Sequence, residues 1–121
     1  MAAGLILFAH GARDVVWAEP FERLARLVRD AAPGHEVRLA FLELMHPSLP
    51  EAAASIMAAG ASAIHVVPIF FGQGGHIRQD LPAIIESLRA QYPDVEVLCA
   101  SPVGEDHDVL QAIVGYCVRQ L

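Results

Sequence analysis

The chain has 121 residues and a formal net charge of −6, from 8 basic and 14 acidic side chains. This length predicts one domain over residues 1–121. A content of 55% hydrophobic and 18% charged residues excludes a disordered chain. All basic residues are scattered arginines, so the chain lacks the basic stripe that nucleic-acid binding requires.

The lengths of the apolar runs and the composition of the first segment argue against a membrane protein and against secretion. No run approaches the roughly 20 residues of a membrane span, and the first segment lacks the basic start of a signal peptide. We therefore expect a cytoplasmic protein with no membrane partner. The two cysteines, Cys99 and Cys117, fit neither a disulfide scaffold nor a zinc-binding spacing. We expect both to lie in the core as small hydrophobic residues.

Strands and helices alternate along the chain. Continuous apolar runs such as GLILFA are typical of strands that are covered on both faces. Helical spacing of apolar residues marks the segments between them. The predicted strands span residues 4–9, 36–42, 63–71 and 95–100, and the predicted helices span residues 15–32, 48–60, 77–91 and 106–121.

Two local sequence signals add detail to the predicted second helix and third strand. Ser48 is a predicted N-cap, with Pro50 in the first helical turn and Glu51 at the third position of a capping box. Pro68 lies within the predicted third strand and indicates an irregularity there, because proline cannot donate a backbone hydrogen bond.

The strand–helix alternation predicts an α/β fold with a parallel sheet and right-handed crossovers. We expect a flavodoxin-like three-layer sandwich with a central four-stranded parallel sheet in the order 2-1-3-4. Ligands of such sheets bind beyond the carboxyl ends of the strands, at the point where the strand order reverses. That point lies between the first and third strands.

Three chemically capable side chains follow neighbouring strands at this edge. His10 follows the first strand, Glu43 the second and His76 the third. Two imidazoles and a carboxylate suit a divalent ion such as iron, cobalt, nickel or zinc, and histidine can transfer protons near neutral pH. Gly74 and Gly75 precede His76 and permit a close approach of the backbone to a ligand. Alternatively, each residue is an ordinary solvated or capping residue of its loop.

The remaining histidines are weaker candidates. We expect His65 to be a packed residue of the third strand, and His35 and His107 to be solvated residues of a turn and a helix start. His46 follows Glu43 closely, so a supplementary metal contact stays open for it.

Other catalytic patterns do not match. The loop at residues 72–75 lacks the Lys-Ser/Thr pair of a phosphate-binding loop, and no serine lies in a nucleophile elbow. Neither cysteine follows a strand beside a histidine, which argues against a thiolate nucleophile.

Three segments carry a family resemblance. They are FAHGAR at residues 8–13, FLE at 41–43 with PSLPEA at 47–52, and VVPIFF at 66–71 with GGHIRQDLP at 74–82. In this order they resemble the small sirohydrochlorin chelatases of the CbiX/SirB type, over about residues 4–103. The chain departs from that pattern at Ala12, where serine is common, and at residues 72–73, where the family has more apolar residues.

The resemblance implies a metal-inserting lyase. Its expected activity is ATP-independent insertion of Co²⁺, Fe²⁺ or Ni²⁺ into sirohydrochlorin, for cobalamin, siroheme or a nickel tetrapyrrole, with no organic cofactor. The family's metal-binding catalytic histidines correspond to His10 and His76, and Glu43 is the acidic residue that completes the metal site. Because the substrate is rich in carboxylates, we expect Arg13 and Arg78 to bind it. The backbone N–H groups at Gly74 and Gly75 are further candidates.

The resemblance also bears on assembly. Larger chelatases of this class enclose the tetrapyrrole between two similar lobes, whereas this chain supplies one, so we expect a homodimer with facing clefts. Two alternatives stay open. One is a metal carrier or tetrapyrrole-binding protein of the same fold without turnover, and the other is a flavodoxin-like signalling module.

Overall fold

The computed structural model describes residues 2–121, apart from the side chain of His76. Four strands, four α-helices and two 3₁₀ turns make up the fold. The strands are β1 (Gly4–Ala9), β2 (Glu36–Phe41), β3 (Ala63–Pro68) and β4 (Glu96–Cys99). The helices are α1 (Glu19–Ala31), α2 (Leu49–Ala58), α3 (Gly75–Gln91) and α4 (His107–Val118), and the 3₁₀ turns are Val15–Ala18 and Val103–Glu105.

The four strands form one parallel sheet in the order β2-β1-β3-β4. This confirms the predicted α/β class and the predicted flavodoxin-like order. β1 pairs with β2 on one side and β3 on the other, so the point of reversal lies between β1 and β3.

Helices cover the sheet unequally. On one face, α2 and α3 bury a large apolar cluster that includes Phe8, Ile56 and Leu88. On the other face, α1 packs through Ala25 against Leu7 and Val37 of the two strands beneath it. The sandwich therefore has three layers, and its core lies on both sides of β1.

The capping box at the start of α2 forms as predicted. The Glu51 backbone N–H donates to Ser48 Oγ at 3.2 Å, and the Ser48 backbone N–H donates to Glu51 Oε1 at 2.8 Å. Two of the N–H groups that a helix start leaves without partners are thereby satisfied.

Several predicted boundaries shift in the structure. The third strand ends at Pro68 instead of residue 71. Proline has no N–H to donate toward β4, although the Ile69 N–H still donates to Phe8 O of β1 at 2.8 Å. The first predicted helix divides into the turn Val15–Ala18 and α1, which starts with Pro20 in its first turn.

The prediction that both cysteines lie in the core is wrong. Cys99 and Cys117 are exposed free thiols. Cys99 lies on β4, which is an edge strand, and Cys117 lies on α4, a helix with no buried residue among its described positions. Partial burial still raises the pKa of the Cys99 thiol, against the opposing charge of Arg89.

Two histidines have structural contacts. His35 is exposed, as expected, and its Nδ1 accepts a hydrogen bond from the Ala3 backbone N–H at 3.1 Å. His65 is partly buried in β3, with Nε2 3.5 Å from Glu96 Oε1. Across residues 2–121, every helix is too short or too polar to cross a membrane.

Stability should depend on pH through Glu51. Hydrogen bonds from the Ser48 backbone N–H and from His46 lower the pKa of Glu51 from 4.5 to about 2. A carboxyl whose pKa is lowered by folding contributes stability above its unfolded pKa and loses it as the pH falls through the folded value. We therefore expect thermal melts followed by circular dichroism to show a loss of stability between about pH 4.5 and pH 2 that is smaller in Glu51→Gln.

The matched control is Glu105→Gln, another exposed glutamate outside any capping box. It should keep the pH dependence of the wild type. Equal pH dependence in Glu51→Gln and the wild type would show that the capping carboxylate does not stabilise the ionised fold.

Candidate metal and tetrapyrrole site

The carboxyl ends of β1, β2 and β3 meet at one edge of the sheet, and the predicted site residues follow them. His10 comes directly after β1, and Glu43 comes two residues after β2. His76 lies in the first turn of α3, which begins beyond β3. The topology therefore brings the three residues to neighbouring loops.

Backbone hydrogen bonds hold the first two loops together. The pairing of β1 with β2 continues past both strand ends, where the Leu42 N–H donates to Ala9 O at 2.9 Å and the Glu43 N–H donates to His10 O at 3.2 Å. Gly11 has φ +100° and packs against the Glu43 carbonyl, so a Cβ at this position would clash with that oxygen. Only glycine fits this close approach without strain.

This backbone arrangement brings His10 and Glu43 into contact. His10 Nε2 lies 3.1 Å from Glu43 Oε1, and the two side chains are 48% and 55% exposed. An ionised carboxylate can only accept, so a hydrogen bond between the two requires the proton on His10 Nε2, and a neutral imidazole then has its lone pair on Nδ1. An exposed imidazole oriented by a carboxylate can bind a metal ion or take a proton.

The third predicted ligand, His76, is described through its backbone alone. Its backbone lies at the start of α3, but its side chain is outside the described part of the chain. Among the side chains that are described, no three of His, Cys, Asp or Glu gather closely enough to hold a metal ion. His10 and Glu43 are the two predicted ligands whose contact is visible.

The predicted substrate-binding groups lie at the same edge. Arg13 and Arg78 are exposed, and neither forms an ion pair with another described side chain. Gly74 and Gly75 are exposed, and a Cβ built on either has open space around it. The N–H groups at the start of α3 are thus accessible to an anion.

His46 contacts the capping box of α2. Its Nδ1 lies 2.8 Å from Glu51 Oε1, at the start of α2. This contact gives His46 a structural role in the capping box.

Exposed apolar side chains lie on the segments that follow the first three strands, and no sequence pattern predicted their exposure. Val15, Leu44 and Phe71 follow β1, β2 and β3, and they are 75%, 59% and 64% exposed. We call these three residues the apolar rim. An apolar residue in a loop gives no sequence signal of its exposure, because exposure depends on which elements pack over it. Exposed apolar surface of this kind marks a binding site for a flat apolar ligand or a partner.

Leu44 has an unusual backbone conformation. Its φ is +66°, in the left-handed region that a bulky residue rarely adopts. Such a residue costs roughly 1–3 kcal/mol and tends to occur at functional sites. Here the strained backbone presents an exposed leucine one residue after Glu43.

An open groove of about 740 Å³ extends from the rim along α1 and β2. Val15 and Leu44 are among its lining residues. Arg26, Arg29 and Arg38 line it together with Glu22, and Arg38 is paired with Glu36 at 3.0 Å. No local sequence pattern predicts this cluster, because its arginines come from two separate elements, α1 and β2.

Comparison with known proteins decides the family. The CbiX family model matches residues 4–117. The chain belongs to the CbiX family.

Relatives named sirohydrochlorin cobaltochelatase are similar along most of their length. The one from Saccharolobus islandicus is 29% identical over 117 residues, which cover 92% of this chain and 90% of the relative. The one from Sulfurisphaera tokodaii is 29% identical over 110 residues, covering 91% and 87%.

Solved structures agree with this membership. A structure from Marinobacter aquaeolei, described as a cobalamin (vitamin B12) biosynthesis CbiX protein, has a TM-score of 0.84 at 33% identity and covers 98% of this chain and 96% of that one. The sirohydrochlorin chelatase SirB of Bacillus subtilis subspecies spizizenii, solved in complex with cobalt, has a TM-score of 0.81 at 23% identity. The match covers 95% of this CbiX-family chain but 49% of SirB, so SirB shares the fold over about half its length.

Proposed function

We propose that this chain is a sirohydrochlorin chelatase, a metal-inserting lyase that places Co²⁺, Fe²⁺ or Ni²⁺ in sirohydrochlorin without ATP or an organic cofactor. The observation that carries the proposal is the exposed His10–Glu43 pair at the sheet edge of a CbiX-family chain. Its curated relatives bear the name of this activity. The chain acts as one domain over residues 1–121, in the cytoplasm.

In this proposal the metal ion is a substrate that His10, His76 and Glu43 hold before its transfer. Imidazole and carboxylate ligands bind all three candidate ions, with affinities in vitro that follow the general order for divalent metals. An open site leaves coordination positions for water and for the incoming pyrrole nitrogens. The same ligand set thus accepts several metals, and the availability of each metal ion decides which one is inserted.

Metal insertion also requires the loss of two protons from the ring. Each pyrrole N–H that becomes a metal ligand releases its proton, and a neutral imidazole has a pKa suited to accept it. Since one histidine cannot act as ligand and base at the same instant, His10 and His76 share these roles. When His10 acts as the base, the Glu43 carboxylate accepts from Nε2–H and stabilises the imidazolium that forms; when Glu43 binds the ion, it releases this contact.

The tetrapyrrole presents a flat apolar face and a carboxylate-rich periphery, and the site offers a partner for each. The apolar rim follows the carboxyl ends of β1, β2 and β3, at the same edge of the sheet as His10 and Glu43, and can contact the ring face. Arg13, Arg78 and the backbone N–H groups at Gly74 and Gly75 bind the carboxylates. Because the whole chain carries a net charge of −6, these local positive groups are needed to attract a polyanion.

A homodimer completes the enclosure of the substrate in this proposal. The chain spans 49% of SirB, whose fold it shares over that part. A second copy facing the first across the tetrapyrrole would supply the other wall of the cleft. The ring would then lie between two carboxyl edges.

The activity is tested anaerobically by mixing the protein with sirohydrochlorin and Co²⁺, Fe²⁺ or Ni²⁺ and following the change in absorbance. His10→Ala and His76→Ala should each lower the rate by about 100-fold or more, because general acid–base catalysis alone contributes at least that factor. Glu43→Gln should show a smaller loss. The control is His35→Ala, which removes an exposed histidine next to Ala3 at the opposite edge of the sheet and should keep the wild-type rate.

A rate no faster than the reaction without protein, for all three metals, would contradict the enzyme. Stoichiometric metal retention on gel filtration without turnover would then favour the carrier alternative. Wild-type rates in both histidine variants would show that the site lies elsewhere.

Leu44→Asn tests the apolar rim. Asparagine adopts positive φ more readily than leucine, so the free energy of unfolding should rise by roughly 0.5–1 kcal/mol. The loss of apolar surface should raise KM for sirohydrochlorin several-fold while kcat changes little, a result typical of lost ground-state binding. Denaturant titration and steady-state kinetics measure the two effects.

The matched control is Leu27→Asn, since Leu27 is 56% exposed on the outer surface of α1. This variant should leave KM unchanged. A KM for Leu44→Asn equal to that of the wild type would remove Leu44 from the binding surface.

A further inference from the structure

The two outer strands of the sheet are preceded by the same sequence pattern. Residues 29–37 read RDAAPGHEV and residues 89–97 read RAQYPDVEV, so arginine, proline, glutamate and valine recur at the same spacing. Each pattern starts in the last turn of a helix, α1 or α3, and ends at the second residue of an outer strand, β2 or β4. The two helices also end alike, with φ −129° and ψ 61° at Ala32 and φ −123° and ψ 69° at Tyr92. We call these two segments the edge units.

The arginine of each edge unit donates to the backbone of the strand that follows. Arg29 Nε donates to Val37 O at 3.3 Å, and Arg38 of β2 adds a second donor to the same oxygen, at 3.2 Å from Nη1. Arg89 donates to Val97 O at 3.2 Å from Nε and at 3.0 Å from Nη2. These bonds are partly buried and have a charged donor, which makes them stronger than bonds between neutral groups.

The Val37 carbonyl points away from the rest of the sheet. Successive peptide groups of a strand point to opposite sides, so alternate residues pair with the same neighbouring strand. The Leu42 N–H donates to Ala9 O of β1 at 2.9 Å, so the even-numbered residues of β2 pair with β1. Val37, Leu39 and Phe41 therefore turn their N–H and C=O groups to the unpaired side of β2, which we call its outer edge.

The Val97 carbonyl has the same direction on the other outer strand. The Ala100 N–H donates to Val66 O of β3 at 2.9 Å, so the even-numbered residues of β4 pair with β3. Val97 and Cys99 therefore face the outer edge of β4. In both edge units the arginine thus occupies a carbonyl that could otherwise accept from another strand.

Few backbone groups stay available along the outer edge of β2. Two arginines occupy Val37 O, and the Phe41 N–H donates to Pro47 O at 2.9 Å. Between these positions, Leu39 is the one residue whose N–H and C=O both lack a protein partner within the described part of the chain. A strand that adds to an edge must pair with several outward-facing residues in succession, each two positions apart.

We infer that Arg29 with Arg38 at β2, and Arg89 at β4, close both outer edges of the sheet to strand addition by another extended chain. An unprotected outer strand is a template for pairing with other chains, and proteins commonly protect it with charged side chains, especially lysine. This chain has no lysine, and its arginines protect the outer edges by hydrogen bonding to them. The inference is independent of the proposed function, since these three side chains have no role there.

Anion binding is the alternative use of these arginines, because Arg29 and Arg38 also line the groove along α1 and β2. Both direct donors to Val37 O, however, and Glu22 among the lining residues opposes an anion. Arg89 makes the same strand contact without belonging to the lining of that groove. The feature common to both edge units is therefore the contact with the strand.

The first test removes the donors and keeps apolar side chains of similar length. Arg89→Met leaves Val97 O without its donor, whereas Val37 O has two donors, so Arg29→Met should act weakly alone and strongly together with Arg38→Met. We expect Arg89→Met and the β2 double variant to aggregate at least about tenfold faster than the wild type, with a rise in thioflavin T fluorescence, because paired outer edges grow into cross-β assemblies. Light scattering measures the rate.

Two controls accompany this test. Arg26→Met removes an arginine of α1 that has no hydrogen bond to a strand among the described residues, and it should stay as soluble as the wild type. Ile56→Val shortens a fully buried side chain of α2, which lowers stability and leaves the hydrogen bonds of the outer edges in place. This variant should not aggregate faster, and denaturant titration compares its stability with that of Arg89→Met.

Hydrogen exchange identifies the surfaces that pair. The outward N–H groups of Val97 and Leu39 should exchange quickly in the soluble protein, because neither has a protein acceptor in the described structure. In aggregates of Arg89→Met the Val97 N–H should become protected, and in aggregates of the β2 double variant the Leu39 N–H should. Dissolving the aggregates after exchange and recording NMR spectra measures the protection residue by residue.

Three results would each overturn the inference. They are solubility of Arg89→Met and the β2 double variant equal to that of Arg26→Met, equally fast aggregation of Ile56→Val, and aggregates in which the outward N–H groups exchange as quickly as in the soluble protein. Circular dichroism before incubation checks that each variant is folded. Arg89→Gln, which has a shorter side chain, is a second variant with the same expected result.

Discussion

The functional edge of this protein depends on the parallel pairing of β1 with β2. The backbone hydrogen bonds of that pairing continue beyond the strands, from Leu42 to Ala9 and from Glu43 to His10. Gly11 lets the two loops touch, because a side chain there would meet the Glu43 carbonyl. As a result, an imidazole and a carboxylate 33 residues apart in sequence are held 3.1 Å apart by the backbone of their own strands.

The surroundings of this pair suit metal transfer more than permanent metal storage. Structural metal sites are closed by a full set of ligands, whereas catalytic sites keep positions open. His10 and Glu43 are about half exposed, and the apolar rim at the same edge of the sheet offers surface for a flat ring. The positive φ of Leu44 fits this view, since strain of this kind persists where a fold holds a side chain in position for a ligand.

The sequence predicted the features that depend on local pattern. Strand–helix alternation predicted the sheet order, and Ser48 with Glu51 predicted the capping box. The same topology predicted that His10 and Glu43 would be neighbours. Each of these follows from periodicity, capping chemistry or the rule that parallel strands share an edge.

The exposure of a residue depends on which helices pack over it, and local sequence patterns did not predict this. An apolar residue such as Leu98 or Val114 predicts burial, and both cysteines were expected in the core for the same reason. The exposure of Leu98, Val114 and Cys117 accords with an α4 that has no buried residue among its described positions. The apolar rim was not predicted for a related reason. The sequence does not distinguish an apolar loop residue that packs inward from one that faces a ligand.

The central claim is that His10 holds the metal ion on its way into the ring. X-ray absorption spectroscopy of the protein loaded with one equivalent of Co²⁺, before tetrapyrrole is added, tests it most directly. The account predicts imidazole scattering from the wild type, with one imidazole fewer in His10→Ala and an unchanged spectrum in His35→Ala. Identical imidazole scattering in His10→Ala and the wild type would contradict it.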